Sequence, residues 1–183
     1  MSTGDMLRNN IEQKTELGIQ AETFIKKGEL IPDESMIQCI LQELRIVKGS
    51  ILLDGFPRTK IQAEKLWQFQ KFDFALNLIV PYEIITDRVK GRYVHMTSGR
   101  VYNTDFNPPK IHMKDDITGE ALTKRPDDDP EILMKRLNVY DNETKPVLEF
   151  YKAQGVLTEF EGKTSNEIWE KMKVFLADKI EKV

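Results

Sequence analysis

The apolar run Ile51-Leu52-Leu53 ends abruptly in Asp54-Gly55-Phe56-Pro57-Arg58. An acid, a glycine, a proline and an arginine directly after apolar residues read as a buried strand feeding a tight turn. Charged groups then stand at the C-terminal end of that strand, and in parallel α/β sheets that edge is where ligands bind. Asp54 has the chemistry to hold a hydrated divalent cation, Gly55 lets backbone approach a ligand, and Arg58 can fork onto a phosphate. The same residues also suit an ordinary strand-to-helix turn with surface charges, and this segment alone leaves both readings open.

The rest of the chain alternates helix and strand patterns. Thr3 suits an N-cap for a helix over about 4–13, with Asp5 in the favourable first turn. A second helix over 16–27 stops at Gly28, and a third starts at Pro32-Asp33. In the third, Met36, Ile37, Ile40, Leu41 and Leu44 recur at helical spacing, and Gly49 ends it. Residues 50–54 read as a strand, followed by a helix with Ala63, Leu66 and Trp67 inward. Residues 74–80 read as a second strand, stopped by Pro81. A helix over about 82–94 carries Arg88 and Arg92 four apart, hence on one face. Residues 95–130 hold short β-like runs with His95, Tyr102, Phe106 and His112, read as a small hairpin-rich lid. A long helix over 130–154, a strand over 156–160 and a closing helix over 164–181 complete the chain; Ile168, Trp169, Met172, Phe175 and Leu176 face inward on the last. The alternation predicts an α/β fold with a parallel sheet, built as a core of 1–94 and 131–183 with 95–130 inserted.

Composition narrows the function. With 183 residues, 40% apolar, one domain with an inserted subdomain is the prior, and 31% charged residues give a well-hydrated surface. A net charge of −3 argues against a general binder of nucleic acid or anionic membrane. Arg58, Arg88, Arg92, Arg125 and Arg136 can still line a local phosphate pocket, although a lone surface arginine is ordinarily just solvated. Cys39 is the only cysteine, so neither a disulfide nor a cysteine-built zinc site is expected, and its neighbours suggest a packed thiol. No run of about 18 apolar residues suits a membrane helix, and no signal peptide is visible.

Several motifs occur in order: Ser2-Thr3-Gly4-Asp5-Met6-Leu7-Arg8, Asp54-Gly55-Phe56-Pro57-Arg58 with Gln62, and Asp87-Arg88-Val89-Lys90-Gly91-Arg92. Then come Gly99-Arg100-Val101-Tyr102-Asn103, Phe106-Asn107-Pro108-Pro109-Lys110, Asp116-Ile117-Thr118-Gly119-Glu120 and Arg125-Pro126-Asp127-Asp128. The set resembles the long-lid adenylate kinases, and among them the mitochondrial GTP:AMP phosphotransferase branch, from residue 1 to about the last helix. The resemblance implies a P-loop-kinase-like parallel sheet flanked by helices with an inserted β-rich lid, and reversible phosphoryl transfer from GTP, ITP or ATP to AMP. It implies that AMP is held by Thr3, Arg8, Glu29, Leu30, Ile31, Gly55, Phe56, Pro57, Arg58 and Gln62, in a region over about 4–33 and the turn after 54. Arg125 and Arg136 would approach the same phosphates from the lid and the following helix, with Arg88 and Arg92 lying across them. Arg92, Val101, Tyr102 and Lys163 would meet the donor nucleotide, although Tyr102 equally suits a lid-core aromatic. Mg²⁺ is expected to arrive with the nucleotide, with Asp54 orienting it through water. A monomer in the mitochondrial matrix is implied, with the cytoplasm as the alternative.

Phosphoryl transfer needs phosphates held in line, their charge neutralised and water excluded, and losing one such arginine typically costs roughly 10³–10⁵ in rate. In the lid, His95-x-x-Ser98 and Asp115-x-x-Thr118 stand where some relatives carry paired cysteines and structural zinc. Here a hydrogen-bonded network is expected instead, with no zinc and with His112 an ordinary surface residue. The resemblance also implies a strand and a G-x-x-x-x-G-K loop ahead of Ser2-Thr3-Gly4, and the chain begins at that element. An alternative start, a splice form or an incompletely assembled gene would each account for this. Gly162-Lys163-Thr164 is preceded by Gly155 at the wrong spacing, across a strand-like stretch, and reads as a decoy. Without that segment a groove with two unpaired strand edges is expected between 50–54 and 76–80, with phosphotransfer impaired. The alternatives are a non-catalytic AMP-binding or regulatory fragment, and a chain too unstable to do either.

Overall fold

The computed structural model describes residues 2–125 and 127–180. Local chemistry sets most helix boundaries. Between α1 (Thr3–Glu12) and α2 (Glu16–Lys27), Thr15 caps the second helix by accepting the Gly18 N–H at 3.1 Å. Gly18 has no room for a side chain: a Cβ would stand 2.0 Å from Asn10 O, so the helices meet backbone to backbone. α2 ends on left-handed Gly28 (φ 73°), where the N–H groups of Gly28 and Glu29 return to the carbonyls of Ile25 and Phe24.

α3 (Asp33–Ile46) turns Met36, Ile37, Ile40 and Leu44 inward, as its spacing predicts. They join Leu7, Ala21, Ile31, Phe56 and Leu66 in the main core. Cys39 is half-buried beside it, its Sγ 3.7 Å from Met6 Sδ, and burial pushes the thiol up from its ordinary range. α4 (Lys60–Phe69) supplies Leu66 to this core and Ala63 to a second cluster with Val147 and Tyr151 of α7 (Lys145–Ala153). There Trp67 meets Phe150 and Tyr151 edge-on, ring centroids 6.4 and 6.0 Å away. Burial pushes the Tyr151 hydroxyl up to about 12.

β1 (Ala75–Ile79) pairs in parallel with β4 (Leu157–Glu161), from Ala75 opposite Leu157 to Ile79 opposite Glu161. α5 (Tyr82–Lys90) leads into an antiparallel pair, β2 (Arg92–Val94) and β3 (Val101–Asn103). Bridges Val94–Thr123 and Lys114–Ala121 extend that pairing into the inserted region. α6 (Pro130–Val139) is capped by Asp129, a π-turn over Tyr140–Thr144 joins it to α7, and α8 (Ser165–Ile180) packs Phe175 on Phe160 of β4. The fold is mixed α/β, a small parallel sheet flanked by helices.

Several elements differ from expectation. Residues 50–54 do not form a strand; one parallel bridge ties Ser2 to Asp54. Extended backbone becomes a strand only beside a partner, and between this segment and β1 lies a cleft of about 2220 Å³ lined by Ile51, Leu53, Leu76 and Leu78. Leu52 is 72% exposed and Leu78 50%, so the expected groove is present, and beyond β4 no strand pairs with β1 among the described residues. Thr3 is the first helical residue, not the cap: its N–H and hydroxyl both donate to Asp54 O, at 3.0 and 3.1 Å. The helix from 82 ends at Lys90, so Arg88 and Arg92 do not share a helix face. Gly91 is buried where a Cβ would stand 2.8 Å from Thr104 Oγ1, and Asn103 Nδ2 donates to Arg88 O, closing the helix end. The 130–154 helix is interrupted by the π-turn, and Trp169 is 49% exposed while Ile168 is buried.

Leu66 is 1% exposed at the centre of the main core, whereas Val174 is 71% exposed on α8. Leu66→Ala should lower unfolding free energy by about 2–5 kcal/mol. Val174→Ser should change it by no more than about 0.5 kcal/mol. Chemical denaturation of both variants checks this, and equal effects would refute the core assignment.

Candidate active site

Asp54-Gly55 places the first site residues. Gly55 adopts φ 78°, and a Cβ there would stand 2.8 Å from Thr3 Oγ1 and 2.9 Å from Arg58 Nη2. Glycine therefore lets Thr3 and the Arg58 guanidinium close on one point. The Phe56–Pro57 peptide is cis. Arg58 Nε donates to Gly55 O at 2.8 Å, and Arg58 N–H donates to Gln62 Oε1 at 2.8 Å. Gln62 is 2% exposed, and its Nε2 donates to Asp33 Oδ1 at 2.8 Å. Thr59 caps α4 and also donates to Asp33 Oδ1, at 2.9 Å. Asp33 thus fixes both the helix start and the orientation of the Gln62 amide.

A small hollow of about 60 Å³ opens beside this turn. Thr3, Glu29, Leu30, Ile31, Gly55, Phe56, Arg58 and Gln62 of the sequence-predicted set line it, whereas Pro57 lines the larger cleft and Arg8 lines neither. Leu7, Ile25 and Met36 also line the hollow and were not anticipated. Their signal was helical spacing, which reads equally well as core.

Positive charge converges here. Arg58 is held below the usual arginine range by burial first and then by Arg136, with Arg8 adding to it. Arg125 is lowered likewise, by burial and then by Arg8 and Arg92. Arg92 is forked onto Asp128, Arg136 is 2.9 Å from Asp127, and Arg8 pairs with Asp5. Among the described residues neither Arg58 nor Arg125 has an ion-pair partner. Like charges crowded this way are what an anion would relieve. Arg88 lies apart: its Nη2 donates to Lys163 O at 2.6 Å and its guanidinium lies over Phe106, 5.5 Å from the ring centroid. Asp54 is exposed on the cleft, and no described residue bonds its carboxylate. That free acid fits a hydrated divalent cation held through water.

The inserted region is locked by a buried polar network. Arg100 forks onto Asp115 at 2.7 and 2.7 Å. Tyr102 OH donates to Asp115 Oδ1 at 2.9 Å, and the Thr118 N–H and hydroxyl donate to Oδ2 at 2.8 and 3.0 Å. His95 bonds Ser98 Oγ at 2.7 Å on one ring nitrogen and Glu120 on the other. Tyr102 therefore belongs to the lid core, while Val101 beside it is exposed. His112 is exposed. Gly162-Lys163-Thr164 forms a helix cap: Thr164 Oγ1 accepts the Glu167 N–H at 3.1 Å, and Glu167 accepts the Lys163 N–H at 2.8 Å.

A parallel α/β sheet with arginines gathered beside a small pocket describes a protein built to handle phosphate groups. A profile of the adenylate kinase family matches residues 1–156. The chain is 45% identical over 181 residues to "GTP:AMP phosphotransferase, mitochondrial" of Drosophila melanogaster, covering 98% of this chain and 84% of that one. It is 46% identical over 164 residues to "Adenylate kinase" of Vanderwaltozyma polyspora and to that of Kluyveromyces lactis, covering 85% of this chain and 74% and 72% of theirs. The chain belongs to the adenylate kinase family, and its activity class is nucleoside monophosphate kinase.

The Arg100 guanidinium, aided by Thr118 and Tyr102, holds the Asp115 carboxyl well below the usual carboxylate range. A depressed carboxyl adds stability above its unfolded value of about 3.9, and that stability is lost as pH falls through the lower folded value. Amide protection around residues 114–123 should persist below pH 4 and fail only in stronger acid. In Arg100→Met the loss should begin at higher pH. Identical acid profiles by hydrogen exchange would refute the network's role.

Proposed function

We propose that this chain serves phosphoryl transfer from a nucleoside triphosphate to AMP, impaired in the 183 residues by themselves, with AMP in the hollow beside Gly55. What carries the reading is that Arg58 lines that hollow without an ion-pair partner among the described residues, crowded by Arg136 and by Arg8, which also crowds the likewise unpaired Arg125. The base would rest on Leu30, Ile31 and Met36, with Thr3 and Gln62 at its edge. Arg8, Arg58, Arg92, Arg125 and Arg136 would hold the phosphates in line and neutralise their charge. Asp54 would hold Mg²⁺ through water, and the cation would supply further neutralisation. Residues 95–130 act as a lid that excludes water, moving as one piece because their buried network is satisfied. Lys163 and Val101 are the remaining candidates on the donor side. By likeness to the Drosophila relative, GTP is the preferred donor and the mitochondrion the location; ITP as a further donor, the matrix as the compartment and a monomer as the working form extend that reading. The net charge of −3 disfavours nucleic acid, and no described helix is long and apolar enough to cross a membrane.

The two nucleotide sides are unequally furnished. No G-x-x-x-x-G-K occurs in the 183 residues, and the one Gly-Lys-Thr caps α8. The backbone cradle that P-loops offer a donor phosphate is therefore not supplied by these residues. This favours a second reading of the 183 residues by themselves, as an AMP-binding unit with phosphotransfer near background.

Calorimetry should show AMP binding that weakens about 10- to 100-fold in Arg58→Ala, the loss of charge-assisted hydrogen bonds to phosphate. Turnover with Mg·GTP or Mg·ATP should be near background for the 183 residues, and should appear once a strand–G-x-x-x-x-G-K–helix segment is fused ahead of Met1, faster with GTP. AMP binding unaffected by Arg58→Ala would sink the acceptor-site assignment. Robust turnover without the fusion would sink the second reading, and equal rates with GTP and ATP the donor preference.

A further inference from the structure

Thr144 lies 86 residues from Arg58 in sequence, yet its Oγ1 donates to Arg58 O at 2.9 Å. On the other flank, Arg58 N–H is bound to Gln62 Oε1 at 2.8 Å, and Gln62 is bound in turn by Asp33. The peptide groups on both sides of Arg58 are thus anchored, one from its own turn and one from a distant helix. Thr144 closes the π-turn after α6, and α6 carries Arg136. In an unbroken α-helix, residues eight apart lie roughly 80° apart around the axis. A π-turn absorbs one extra residue, so the pair sits as if seven apart, roughly 20° from alignment. The turn therefore brings the Arg136 side chain and the Thr144 hydroxyl to one face. That face looks at the Arg58 turn, where Arg136 is the strongest charge that Arg58 feels.

We propose that Thr144 is a positioning residue: its hydroxyl fixes the Arg58 carbonyl and so aims the Arg58 guanidinium at the acceptor phosphate, while the π-turn sets Arg136 in register with the same target. The proposal rests on the reading of the hollow as an AMP site. Thr144 contacts no nucleotide in this scheme and acts only through Arg58.

The test compares AMP with adenosine, which lacks the phosphate, by calorimetry on the 183-residue chain. The unchanged chain should bind AMP more tightly than adenosine, and Arg58→Ala should remove most of that difference. If either fails, the AMP-site reading itself is overturned. Where both hold, Thr144→Val should weaken AMP binding about 3- to 10-fold and leave adenosine affinity unchanged, and Thr144→Ser should restore AMP binding. In the Arg58→Ala background Thr144→Val should add nothing, as expected when two groups act as one unit. A Thr144→Val chain that keeps its AMP affinity, or that loses AMP and adenosine alike, overturns the positioning role. Thr144→Ala carries the same comparison if the valine chain does not fold, and failure of both to fold would show a purely structural residue.

Discussion

A guanidinium crowded by other guanidinia and partly removed from water, with only the pull of Asp54 and Asp127 in its favour and neither paired with it, must be kept there by something besides charge. At Arg58 that something is backbone and amide hydrogen bonding: its own Nε to Gly55 O, and its N–H to the Gln62 amide that Asp33 orients. Neutral bonds of this kind hold position without cancelling the charge. A carboxylate partner would relieve the crowding and also consume the group that an anion needs. Arg92 and Arg136 show that alternative, paired with Asp128 and Asp127. The cluster thus combines guanidinia without a carboxylate partner among the described residues and guanidinia held by one.

Much of this was legible in the residues, for identifiable reasons. The helical spacing of Met36, Ile37, Ile40 and Leu44 was carried by burial, and burial kept it. Gly28 stopped α2 because left-handed backbone favours glycine, and Gly55 marked a close approach for the same reason. The polar network at His95, Ser98, Asp115 and Thr118 followed from which side chains donate and accept. Most of what failed depended on partners far away in sequence. Residues 50–54 have a strand's composition, but a strand is a relation between two backbones. Arg88 and Arg92 fit one helix face until Asn103, arriving from β3, closes the helix at Gly91. Trp169 and Ile168 are adjacent on an amphipathic helix, and only packing decides which turns in. The π-turn over Tyr140–Thr144, by contrast, stands just ahead of Pro146, whose missing N–H and ring cannot continue the i→i−4 ladder, a local signal that a single helix over 130–154 passes over.

The hollow and the cleft differ in what supports them. The residues around the hollow belong to α1, α2, α3 and the turn into α4, and these elements share the main core with Leu7, Ile31, Met36 and Phe56. Burial that holds the core together therefore also shapes the hollow. The larger cleft lies beyond that core, between residues 51–54 and β1, and leaves Leu52 and Leu78 half or more exposed. Apolar surface left open in this way contributes nothing to folding until another extended segment covers it. Arg58 lines both spaces, and Thr144 reaches it from across the cleft. Leu30, Gly55 and Phe56 line both spaces with Arg58, so whatever fills the cleft bears on the hollow through these shared residues. The hollow is thus shaped by the main core on one side and by the state of the cleft on the other.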